Sequence, residues 1–122
     1  MVRYDFSGKT VLVTGSSRGM GAGILEAFAR AGAVCLLNYV EDSAGQNRRD
    51  VEETAQRLRQ HKATVHLLEA DVSRYDAVEA LMKRIVEVAG GLDVLVNNAG
   101  ILRDRTVKKM TLPEWEDRKS VV

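Results

Sequence analysis

The chain has 122 residues, the length of one small domain. Its 18 basic and 17 acidic residues are interspersed and leave a net charge of +1, which excludes a basic stripe of the kind that binds nucleic acid. A single cysteine, Cys35, excludes an internal disulfide. No apolar run approaches the ~18 residues that span a bilayer, so no membrane partner is expected. The charged N-terminus does not read as a secretory leader, and the expected location is cytoplasmic.

Thr10 to Thr14 is a short run ending at Gly15 and reads as a buried parallel strand. Gly15, Gly19, Gly21 and Gly23 follow. Ile24, Leu25, Phe28 and Ala31 then recur at helical spacing until Gly32, a left-handed stop. A second strand is predicted from Ala33 to Tyr39, with Cys35 packed inside it. Residues 41 to 49 are polar and read as a loop entering a helix whose apolar stripe is Val51, Ala55 and Leu58. A third strand is predicted from Thr64 to Glu69.

Asp71-Val72-Ser73 then leads into a helix, with Ser73 as its expected N-cap and Asp76 in its first turn. Val78, Leu81, Met82, Ile85, Val86 and Ala89 supply that helix with an apolar face, and Gly90-Gly91 ends it. A fourth strand, Leu92 to Val96, runs into Asn97-Asn98-Ala99-Gly100. Beyond it, Thr111-Leu112-Pro113-Glu114 reads as another helix start. Strands alternate with helices over short connections. The expected fold is therefore α/β, a parallel sheet of order 3-2-1-4 that forms the N-terminal half of a doubly wound Rossmann fold.

Glycines between a buried strand and a helix allow positive φ and close approach of a ligand, and the helix N-terminus offers N–H groups to a pyrophosphate. A strict G-x-G-x-x-G is absent, because position 24 is Ile. Thr14-Gly15-Ser16-Ser17-Arg18-Gly19-Met20-Gly21 instead resembles the T-G-x-x-x-G-x-G element of the short-chain dehydrogenase/reductase family. Asn97-Asn98-Ala99-Gly100 resembles the family's N-N-A-G, and Asp71-Val72 its Asp-apolar pair. All three fall at the C-terminal ends of predicted strands, where open α/β sheets bind ligands. The resemblance covers residues near 6 to 117 and is strongest to the 3-oxoacyl-carrier-protein reductase branch.

The resemblance implies a nicotinamide dinucleotide as partner. It places Thr14, Gly15, Ser17, Arg18, Gly19, Met20 and Gly21 at the phosphate turn, and Asn38 and Tyr39 at the end of the second strand. Asp71 and Val72 would meet the adenine, and Asn98, Ala99 and Gly100 would border the ribose and the path to the nicotinamide. Thr14 would also tie the turn to the fourth-strand segment, with Asn97 supporting the sheet. An acidic residue at the end of the second strand would accept the ribose 2′-hydroxyl, and neither Asn38 nor Tyr39 is acidic. Arg18 suits a 2′-phosphate, so NADP(H) is favoured over NAD(H). Glu41 and Asp42 lie just beyond that position.

The implied activity is hydride transfer between NADP(H) and a small carbonyl or alcohol substrate, with 3-oxoacyl thioesters among the candidates. In the family a Tyr supplies the proton, a Lys four residues later lowers its pKa, a Ser orients the carbonyl and an Asn completes the relay. The residues four beyond Tyr4, Tyr39 and Tyr75 are Gly8, Ser43 and Glu79, so no catalytic residue is assigned. Arg118-Lys119-Ser120-Val121-Val122 departs from the family pattern, and the chain reads as a truncated, cofactor-binding front half that is inactive alone, its substrate engaged only in a full-length form. His61 and His66 suggest no metal site, and Trp115 reads as helix packing. An open fourth-strand edge (Leu92, Val94, Leu95, Val96) would favour self-association. The alternative reading is a non-catalytic nucleotide-binding fragment or a partner-interaction module.

Overall fold

Four short aliphatic runs build one parallel sheet. The computed structural model describes residues 4–99; Gly100, the predicted helix start at Thr111, Trp115 and the tail from residue 118 lie outside them. The strands are β1 (Thr10–Val13), β2 (Val34–Tyr39), β3 (Val65–Glu69) and β4 (Val94–Val96), ordered β3-β2-β1-β4 as expected. Helices α1 (Gly19–Arg30), α2 (Gln46–Arg59) and α3 (Tyr75–Ala89) form the connections. Because all pairs are parallel, the C-terminal ends of the four strands share one edge of the sheet.

Side chains along a strand alternate between faces, and that period divides the core. Val11, Val13, Cys35 and Leu37 meet Leu25 and Ala29 of α1 and Val51, Ala55 and Leu58 of α2. Leu12 and Leu36 meet Leu68, Leu81 and Ile85 on the α3 side. β1 is buried along its whole length, which explains why Thr10 to Val13 carries no alternation of polar residues. β4 pairs only with β1 among the described residues, and its three residues are half-buried. Asp93 joins it to β1 twice: its N–H donates to Thr10 O (2.9 Å) and its Oδ2 accepts from Thr10 N (2.8 Å).

Three local expectations are corrected. Ser73 does not cap α3: its hydroxyl and its N–H both donate to Asp71 Oδ1 (2.6 and 3.0 Å), and Arg74 takes the cap position without a side-chain bond. The Asp71 carboxylate draws the serine back into its own loop. Asp76 does lie in the first turn. Val86 is 60% exposed and leaves the apolar face of α3, since five positions beyond Leu81 is about 140° round the helix. α2 begins at Gln46, before the polar stretch ends, because Asp42 Oδ1 accepts from Asn47 N (3.1 Å) and Asn47 Nδ2 donates to Val40 O (2.8 Å). Among the described residues no helix is long and apolar enough to cross a membrane.

Cys35 is fully buried, and desolvation of its thiolate pushes the thiol pKa from 9.0 to about 11. At pH 8 that rise alone removes most of the reactive thiolate, so iodoacetamide should modify Cys35 at least ~100-fold more slowly in the folded chain than in urea. Comparable rates in the two conditions would show that the β1–β2 core is open.

Candidate functional site

β1 delivers the chain at Thr14 to a turn that opens α1, and the turn needs glycine for three different reasons. Gly15 has φ +61°, and a Cβ there would lie 3.3 Å from Ala99 Cβ. Gly21 is helical, but a Cβ would lie 2.6 Å from Asn98 Nδ2 and 2.7 Å from Gly15 O. Gly19 has φ +63° and nothing within 4 Å of its Cβ position. Gly15 and Gly21 are therefore small because protein packs against them, whereas Gly19 faces open space. α1 begins at Gly19 behind the extended backbone of Arg18, with no side-chain cap. A helix start of this kind carries N–H groups without intrahelical acceptors and the positive end of the helix dipole.

Polar side chains fix the turn from beneath. The Asn38 carboxamide accepts from Gly15 N at Oδ1 (2.9 Å) and donates from Nδ2 to Leu68 O (3.3 Å) and Ala70 O (3.1 Å). Asn38 N donates to Ser16 Oγ and Ser16 N donates to Asn38 O, both at 2.9 Å. From the β4 side, Asn98 Nδ2 donates to Gly15 O (3.1 Å). The Thr14 hydroxyl accepts from Ala99 N (3.1 Å) and is within donating distance of Asn97 Oδ1 (3.1 Å). From α2, Thr54 Oγ1 donates to Ser17 O at 2.6 Å.

The structure thus brings Thr14 to Gly21, Asn98 and Ala99 into one bonded unit. Two of the residues expected at the site are buried. Asn38 and Tyr39 end β2 at the predicted place, yet they are 1% and 6% exposed. Every polar atom of the Asn38 side chain is used within the protein, and the Tyr39 ring packs in the α1/α2 core, where burial raises its phenol pKa. Asn38 lies beneath the turn that it bonds. Asp71 and Val72 follow β3 at the same sheet edge, half-buried. The Asp71 carboxylate carries the Ser73 bonds described above, and Val72 leans on the Leu36–Leu68 cluster. Met20 is 65% exposed beside Gly19. The sheet register also keeps the acids past β2 distinct: Tyr39 pairs with Glu69, Glu41 lies 3.5 Å from Arg48, and Asp42 starts α2.

Arg18 is paired with an acid of α2. Its Nη1 lies 3.2 Å from Asp50 Oδ2, and Asp50 Oδ1 accepts from Gln46 Nε2 (2.8 Å). Arg18 and Asp50 border a cleft of about 190 Å3 between the turn and α2, with Glu53 and Arg57 on its α2 wall. Sequence reasoning missed Ser16, Asp50 and Thr54. Thr54 had a signal, a β-branched hydroxyl beside Ala55 on an otherwise charged helix; Asp50, among so many helix charges, had none. His61 is a half-buried partner of Glu26 (3.1 Å). That hydrogen bond, with Arg30 and Arg57 nearby, holds the Glu26 carboxyl below its usual range despite desolvation. No cluster of three or more metal-ligating side chains occurs among the described residues.

The family model for short chain dehydrogenases matches residues 9–121. A 3-oxoacyl-[acyl-carrier-protein] reductase of Staphylococcus aureus is 38% identical over 109 residues, 89% of this chain and 42% of that protein. Glucose 1-dehydrogenase 2 of Bacillus subtilis is 35% identical over 92% of this chain and 42% of its own length. The L-sorbose reductase of Gluconobacter frateurii, solved with NADPH and L-sorbose, superposes with a TM-score of 0.72 at 30% identity, over 95% of this chain and 42% of that one. The chain spans about two-fifths of the length of these relatives.

Gly19, Gly21 and Asn38 should respond differently to substitution. Gly21→Ala forces Gly15 O aside and should cost about 2 kcal/mol in urea unfolding. Asn38→Ala leaves a buried N–H and two carbonyls without this partner and should cost about 3 kcal/mol. Gly19→Ala meets no atom and should cost only the ~1 kcal/mol of a left-handed alanine. Equal losses at positions 19 and 21 would contradict the packing described.

Proposed function

Since the chain belongs to the short-chain dehydrogenase family, we propose that it is the dinucleotide-binding portion of an NADP(H)-dependent oxidoreductase. The observation that carries this reading is Gly19, a positive-φ glycine with open space before it at the uncapped start of α1. A pyrophosphate fits there, since it needs both a bare backbone and unpaired N–H donors. The bound nicotinamide would give or take a hydride, exchanging it with a carbonyl or alcohol carbon.

Each residue then has a definite task. The N–H groups at Gly19, Met20 and Gly21 hold the pyrophosphate, while Asn38, Ser16 and Thr54 keep the turn from yielding as the charge arrives. Asp71 and Val72 receive the adenine. Asn98 and Ala99, with Gly100 after them, bound the ribose and the route to the nicotinamide, and Thr14 fixes their distance from the turn. Ser17 shapes the turn between Thr54 and Arg18. The Arg18 guanidinium takes the 2′-phosphate, a reading supported by the absence of an acid at Asn38 and Tyr39, the last two residues of β2, and by NADPH in the L-sorbose reductase relative.

The substrate class is a carbonyl or alcohol, with 3-oxoacyl thioesters favoured by the Staphylococcus aureus reductase. Residues 1–117 act as one cofactor-binding portion, with 118–122 apart from it. No Tyr-x-x-x-Lys occurs in the 122 residues, so these residues supply binding without turnover.

Titration of the chain with NADPH, followed by nicotinamide fluorescence, should show saturable binding, and added ketone should produce no oxidation. Absence of binding by folded chain refutes the proposal, and ketone-dependent oxidation refutes the division of labour. Arg18→Ala should raise the Kd for NADPH about five- to tenfold and leave the Kd for NADH nearly unchanged.

A further inference from the structure

Resting on the reading of Arg18 as the 2′-phosphate ligand, we infer that Asp50 is a specificity-determining residue that competes with the phosphate for Arg18 and so narrows the preference for NADP(H). The end of β2 has no acid to discriminate between cofactors: Asn38 and Tyr39 are buried. The structure brings a carboxylate from α2 instead. Asp50 Oδ2 meets Arg18 Nη1 at 3.2 Å, while Gln46, one helical turn earlier, holds Oδ1 at 2.8 Å. The Asp50 side chain is 17% exposed and that of Arg18 is 69% exposed. The carboxylate is thus the anchored partner, and the guanidinium, on its long exposed stem, is the one that can turn towards a ligand.

Thr54, a turn beyond Asp50, grips Ser17 O, so positions 46, 50 and 54 present one face of α2 to the phosphate turn. Glu53 and Arg57 are the remaining charged walls of the cleft. Two acids and two bases leave it without net positive charge. A 2′-phosphate must draw Arg18 from Asp50 and approach that carboxylate's negative charge. A 2′-hydroxyl brings no charge and loses little. Asp50 differs from an acid at the strand end, which would accept from the ribose itself, because it acts through the arginine.

The test is a calorimetric comparison of NADPH and NADH on wild type, Asp50→Asn, Arg18→Ala and the double variant. Asn keeps the shape and a bond to Gln46. Asp50→Asn should tighten NADPH about fivefold at low salt, with a smaller shift for NADH, and the gain should shrink at high salt. In the Arg18→Ala background the gain should fall below about twofold. Asp50→Ser, which also lacks the charge, must reproduce the direction. Unchanged or weaker NADPH binding, an equal change for both dinucleotides, or a full gain without Arg18 overturns the role of Asp50. Failure of wild type to bind either dinucleotide overturns the underlying function itself, and is distinguished by that single titration.

Discussion

The carboxamide of Asn38 closes the gap between three segments that would otherwise part at the C-terminal edge of the sheet. It bonds the N–H of Gly15 on one side and the carbonyls of Leu68 and Ala70 on the other. At 1% exposure such a group is tolerable only because every bond is made. Its loss would free the turn from β2 and β3 together. Once Gly15 is fixed, its carbonyl receives Asn98, and Thr14 receives Ala99. The geometry of the whole ligand edge therefore descends from a side chain that no ligand needs to touch.

A division of labour among the glycines follows from that rigidity. Gly15 and Gly21 let two protein segments approach within van der Waals contact, so the bracing can exist at all. Gly19 leaves a surface bare. A helix start with free N–H groups is a general anion site, but its strength depends on those groups staying in place as charge arrives. Thr54 on one flank and Asn98 on the other supply that restraint, which links the packing of α2 and β4 to the affinity expected at α1.

Charge at the site is arranged differently from position. Position is set by buried amides and hydroxyls; charge sits outside, on Arg18 and the α2 acids. A long exposed arginine can exchange partners with little disturbance to the fold, since surface ion pairs contribute at most about 1 kcal/mol. The Arg18–Asp50 pair can thus open and close while the turn beneath keeps its shape. Relatives acting on sugars and acyl thioesters align with this same portion at 30–38% identity, as expected if substrate choice resides elsewhere in those longer chains.

Strand order, the three helices that connect the strands, the two faces of the core and the glycine turn were all legible in the linear sequence, because each depends on local period or on residues close together in the chain. The apolar runs at Thr10 to Val13 and Val34 to Leu37 could be read as doubly buried strands, and a parallel alternating pattern admits few topologies. What could not be read was which polar residues would meet. Asn38 reads as a strand-end ligand until β3 is laid beside it, Ser73 reads as a cap until Asp71 folds back on it, and Asp50 is one charge among many until α2 crosses the turn. Those pairings join positions 22 to 85 residues apart in the case of the site, or turn on loop geometry in the case of Ser73. The chain alone determined where the glycine turn and the start of α1 would fall, since backbone conformation is a local property; tertiary structure decided what holds that turn rigid and what charge surrounds it, since hydrogen bonds and ion pairs act only across short distances in space.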